Sequence, residues 1–144
     1  MPISGAAVTT SAFESVLAVV GAVLALAATV VSWRAVGAQQ VIHPLTVFYF
    51  VEAPGLALVG AWALVSGTTT VLAWMMAGAL FGFCIIGGFS IGPAYFPADA
   101  LLGVAALWRD RREWRLLPGR VGLAVVAAVM QAVMMLLLVR TVGH

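Results

Sequence analysis

A chain of 144 residues that is 64% hydrophobic and only 8% charged, with a mean hydropathy of +1.14, has too little polar surface to face water. A soluble domain carries about a quarter charged residues, so lipid must be the solvent here, around a single bundle. The formal net charge is +2 and every Lys/Arg position is Arg; five of the seven lie within residues 109–120, between two apolar segments, which reads as a topology-setting loop rather than a nucleic-acid patch.

Residues 1–10 are small and polar and are expected to fray. The first thirteen residues hold no Arg or Lys, so no cleavable signal peptide is expected. Ser11-Ala12-Phe13-Glu14 reads as a capping box opening a first helix over 12–33. About 22 residues at ~1.5 Å each reach ~33 Å, enough for the hydrocarbon core. Trp33 and Arg34 mark its far end, and a polar connection at 36–44 holds Gln39, Gln40 and His43. A second helix over 45–65 carries Glu52 and then Pro54, which removes a backbone hydrogen bond and can kink the helix. Trp62 and Trp74 flank the turn at 66–70 as an interface belt would. A third helix over 70–87 carries Gly78 and Gly82, a GxxxG step that lets another helix approach closely. Cys84, the single cysteine, cannot form an intrachain disulfide.

Residues 87–108, GGFSIGPAYFPADALLGVAALW, decide the topology. The stretch is apolar enough for a bilayer, yet Gly87, Gly88, Ser90, Gly92, Pro93 and Pro97 interrupt it. A tight reversal at 87–92 gives a fourth helix over 91–108, with both prolines in its first turns, where a missing N–H costs little. The alternative keeps 97–108 as a re-entrant or interfacial half-helix and leaves four spans. A last helix covers 121–139, with Gln131 near its middle. The positive-inside rule places 109–120 in the cytoplasm and the C-terminus outside in both cases; the N-terminus is cytoplasmic only with five spans. Arginines divide 5 inside to 2 outside with five spans and 6 to 1 with four. That small bias is outweighed by the difficulty of burying the glycine–proline break in a continuous lipid-facing helix, so five spans is the preferred reading. Phe89-Ser90-Ile91-Gly92, followed by Pro97-Ala98 and an apolar run, resembles a hairpin of small uncharacterised prokaryotic multi-pass membrane proteins. The resemblance covers about 25 residues and implies separate spans for the two arms, with no activity attached. This chain departs from it at Pro93 and Asp99.

Ionisable groups in a bilayer are costly and commonly functional. Glu14 is explained by the capping box and helix dipole, and Asp99, in the first turn after Pro97, by the dipole. Glu52 has neither explanation. Arg34, His43, Glu52 and residues 87–99 fall on one side of the membrane in both topologies. Glu52, Asp99 and Arg34, with Tyr49 or Tyr95, are therefore the candidate lining of a polar pocket, either a buried salt-bridge network or a proton or cation site. Arg109, Arg111, Arg112, Arg115 and Arg120 are expected to set topology and touch anionic headgroups. The sequence holds no metal-spaced Cys/His cluster, phosphate loop or nucleophile–base motif, so no cofactor, metal or catalytic residue is expected. Met75, Met76, Met130, Met134 and Met135 read as packing and lipid-facing residues.

The expected fold is an all-α polytopic transmembrane bundle of five helices, or four plus a half-helix, in the cell membrane. The lipid bilayer is its first partner, with other membrane subunits or self-association beyond that, and no nucleic acid. The expected function is a non-enzymatic accessory or interaction subunit packed through small residues; the alternative is a small ion- or proton-coupled transporter using Glu52.

Overall fold

The computed structural model describes residues 12–37, 44–67, 69–87, 91–111 and 113–142. Ser11 of the capping box, Gln39, Gln40, His43, the Phe89-Ser90 half of the hairpin motif, Arg112 and His144 lie outside them. The described residues form an all-α bundle of five helices: α1 (Ala12–Gly37), α2 (Pro44–Ser66), α3 (Thr70–Ile86), α4 (Phe96–Asp110) and α5 (Leu117–Val142). A 3₁₀ turn, Gly92–Tyr95, leads into α4.

The chain reverses at each connection. Trp33 near the end of α1 meets Phe50 near the start of α2, ring centroids 5.2 Å apart. Tyr49 then meets Phe83 at the end of α3, at 5.8 Å. Phe13 packs on Trp108 at 5.0 Å, so the start of α1 lies beside the end of α4. One end of the bundle therefore gathers the starts of α1, α3 and α5 with the ends of α2 and α4.

α3 is the axis. It packs on α2, α4 and α5, while α1 packs on α2 and α4. The buried stripe of α1 runs Ala18, Gly21, Ala22 and Ala25, the spacing of one helix face. Of 21 buried apolar residues among those described, 13 are alanine, so the backbones approach through small side chains rather than large knobs. Tyr95, Phe83, Leu64, Leu80 and Leu102 fill what space remains.

Gly78 and Gly82 are occupied within the chain. A Cβ on Gly78 would overlap the Ala124 backbone, and one on Gly82 would lie 2.5 Å from the Ala128 carbonyl oxygen. The step that invites another helix receives α5. α1 runs on to Gly37, four residues past its expected end at 33, and the fourth helix departs further from its expected bounds. Pro93 and Pro97 remove two N–H groups in successive turns, and the chain opens as 3₁₀, with the Ala94 N–H on the Ile91 carbonyl at 3.2 Å. α4 then packs one face into the bundle, with Ala98, Asp99, Leu102, Ala105, Ala106 and Asp110 buried and Phe96, Val104 and Leu107 exposed. α5 begins four residues earlier than expected because Pro118 is tolerated in a first turn. α2 runs through Pro54 without ending.

Gly92 is fixed by a close approach: a Cβ there would sit 2.6 Å from the Cys84 carbonyl oxygen and 2.6 Å from the Gly87 carbonyl carbon. Both are backbone atoms and cannot swing aside. Gly92→Ala is expected to cost ~2 kcal/mol as overpacking, read as a lower midpoint of thermal unfolding in detergent.

Ala12–Gly37, Leu45–Ser66 and Leu117–Thr141 are long and apolar enough to cross a membrane. α3 is apolar but has 17 residues, and α4 has 15. At ~1.5 Å per residue these two reach only ~23–26 Å.

Candidate functional site

Of the residues expected to share one polar pocket, Glu52 and Asp99 meet different neighbours. Glu52 faces α5, where Gln131 Nε2 donates to Glu52 Oε1 at 2.8 Å. Its other oxygen, Oε2, is buried with no hydrogen-bond partner among the described residues. Tyr95 is fully buried, and its Oη lies 2.9 Å from Thr29 Oγ1. Thr29 has a single hydroxyl hydrogen and gives it to the Ala25 carbonyl at 2.8 Å, so Tyr95 is the donor to Thr29. The Tyr95 ring also stands edge-on to Phe83 at 5.5 Å, opposite Tyr49. Tyr49, Phe83 and Tyr95 thus form an aromatic column joining α2, α3 and the 3₁₀ turn. Arg34 stands exposed in the last turn of α1.

Asp99 is elsewhere. α4 and α5 both pack on α3 and barely touch each other. The gap between them is a groove of about 540 Å³. Trp74 and Phe81 form its floor, Asp99 and Gly103 belong to the α4 wall, and Val121 and Val125 to the α5 wall. Asp99 is the one ionisable residue among the described residues of the lining and is only 7% exposed. No described side chain donates a hydrogen bond to it. Glu52 is not part of this lining; helix register turns it toward Gln131 instead.

A third polar cluster was not anticipated. Asp110, 1% exposed, receives Trp74 Nε1–H on Oδ2 at 2.7 Å and pairs through Oδ1 with Arg120. Arg120 also reaches Glu113 at 3.3 Å. Arg109 Nη1 donates to the Leu64 carbonyl at 2.8 Å, in the last turn of α2, where helix carbonyls lack intrahelical partners. The solvated loop expected over 109–120 is therefore shorter than supposed. α4 runs to Asp110, α5 starts at Leu117, and Arg109 and Arg120 tie helix ends together. The signal was present in the sequence: Leu102, Ala106 and Asp110 recur every four residues, so Asp110 continues the buried stripe of α4. Arg111 lies over the Trp108 ring at 4.0 Å, and Arg115 is exposed. Glu14 is buried at the start of α1.

Among the described residues, no group of three or more His, Cys, Asp or Glu side chains could hold a metal ion. No protein-family model, curated protein or solved structure matches the chain.

Proposed function

We propose that the chain is a multi-pass protein of the cell membrane that acts as a non-enzymatic accessory or interaction subunit. The observation that carries this reading is the filled interior. The core is alanine with a few large apolar side chains, and the polar groups of Tyr95 and Asp110 are engaged by neighbouring helices. Such groups lock helices to each other rather than serve a moving substrate. The outward faces of α1 and α5 are apolar, with Val23, Val30, Val126 and Leu137 exposed, and suit lipid or another helix.

In this reading all five helices cross. The N-terminus lies in the cytoplasm with Arg109, Arg111, Arg115 and Arg120, and the C-terminus lies outside. The short α3 and α4 are accommodated by local bilayer thinning around the bundle. The test is gentle detergent extraction of tagged full-length chain, followed by mass analysis of what accompanies it. A stoichiometric membrane partner is the expected result; a chain that emerges only alone or as a homo-oligomer overturns the reading.

The orphan Oε2 of Glu52 favours the competing class, a proton- or cation-coupled transporter. The two classes differ at Glu52→Gln. The amide retains an oxygen for Gln131, so assembly should persist with a stability change within ~1 kcal/mol. Proton flux into vesicles should be the same for both chains; flux that is present and lost in the variant assigns transport.

A further inference from the structure

The groove between α4 and α5 has a composition that selects its occupant. Its walls and floor are apolar apart from the Trp74 indole, whose N–H is already given to Asp110. A single carboxylate, Asp99, lies on the lining, more than nine-tenths buried and without a donor among the described residues. A buried carboxyl group without a donor favours a ligand that brings its own positive charge or N–H donors. About 540 Å³ lies within the range of small-molecule sites. It is too small for a helix of ~10 Å diameter over more than about a turn or two.

We propose that this groove binds a single-chain cationic amphiphile, an ammonium group on an apolar tail. The ammonium pairs with Asp99. The tail lies along α4 past Gly103 toward Leu107, covered on the other side by Val125 and Val121 of α5. Asp110 lies eleven positions after Asp99, ~16 Å along the helix, so the tail runs between the carboxyl group and the Arg-bearing end. Gly103 gives the tail room: a Cβ there meets nothing within 4 Å. The site is independent of the accessory-subunit reading, since a bound amphiphile and a co-extracted protein are read by different measurements.

The test uses full-length chain in lipid nanodiscs with two photoactivatable probes of equal chain length, a diazirine-bearing alkylamine and the matching alcohol. Cross-links are mapped by mass spectrometry. The amine is expected to label residues of α4 and α5 on the groove about tenfold more than the alcohol. Asp99→Asn should bring the amine down to the alcohol's level. Gly103→Leu, whose side chain enters open space, should reduce labelling by both probes while the fold is kept. Equal labelling by the two probes overturns the proposal, as does amine labelling that survives Asp99→Asn. A co-purified membrane chain that cross-links into the groove and excludes the amine overturns it as well.

Discussion

Replacing Gly78 with leucine is expected to separate α5 from α3 and to lower the unfolding midpoint in detergent more than substitution at any open glycine. The ideal Cβ at this position already overlaps the Ala124 backbone, which belongs to a helix and cannot rotate away. Relief requires α5 to move outward along its length, against which stand the Arg120–Asp110 pair and the Gln131–Glu52 hydrogen bond but few other contacts. Only Gln131 and Met135 are buried on α5 among the described residues, and its contacts with α2 are few. Overpacking in a tight core costs 1–3 kcal/mol and occasionally more, and ~3 kcal/mol or above is expected here. Two controls isolate the cause. Gly55→Ala and Gly103→Ala add a methyl where nothing lies within 4 Å. Both should be neutral or stabilising by ~0.5–1 kcal/mol, because alanine is the better helix former. If Gly78→Leu melts with the controls, the α3–α5 packing described above is wrong.

The second large effect is expected at Asp110. Its carboxylate joins three helices: its own α4, α3 through Trp74, and α5 through Arg120. Asp110→Ala leaves the indole N–H without its acceptor and a guanidinium that is only 16% exposed with Glu113 alone. Removing one member of a buried ion pair typically costs ~3–5 kcal/mol, most of it the cost of the stranded partner. Asp110→Asn keeps an acceptor for Trp74 and should cost less. Combining Asp110→Leu with Arg120→Met removes both charges and should recover much of the loss, so a double-mutant cycle on thermal or denaturant unfolding measures the coupling directly. Additive single-site effects would mean that the pair does not hold the helix ends together.

The five helices were legible because each apolar run is bounded by residues with a definite local effect. Trp33-Arg34 lie close to the end of α1, and Gly87 and Gly92 make the reversal before α4. Proline governed the two start positions that differed. Pro93 forced a 3₁₀ entry into α4, whereas Pro118 was accepted within the first turn of α5. What the sequence could not supply was which faces meet. Glu52 and Asp99 were both expected on one side of the membrane, which made one pocket reasonable. Depth is only one coordinate, however. Rotation about the helix axis turns Glu52 to Gln131 and Asp99 to a groove that exists because α4 and α5 stay apart. The same applies to GxxxG: small residues announce a close approach, and only the packing identifies the visitor as α5. Asp110 was hidden by its neighbours, since an acid among arginines reads as solvated loop until the four-residue recurrence of α4 is followed to its last turn.

The proposed topology has α4 crossing the membrane as the fourth of five spans. Single cysteines placed at Ile91 and Trp114, with Gly37 and Thr141 as references, can be probed in sealed membranes with an impermeant thiol reagent. Native Cys84 is buried and should stay silent. The prediction is that position 91 labels from the same side as 37 and 141, and position 114 only from the opposite side. Labelling of 91 and 114 from one side would contradict it, and would make α4 a re-entrant element of a four-span protein.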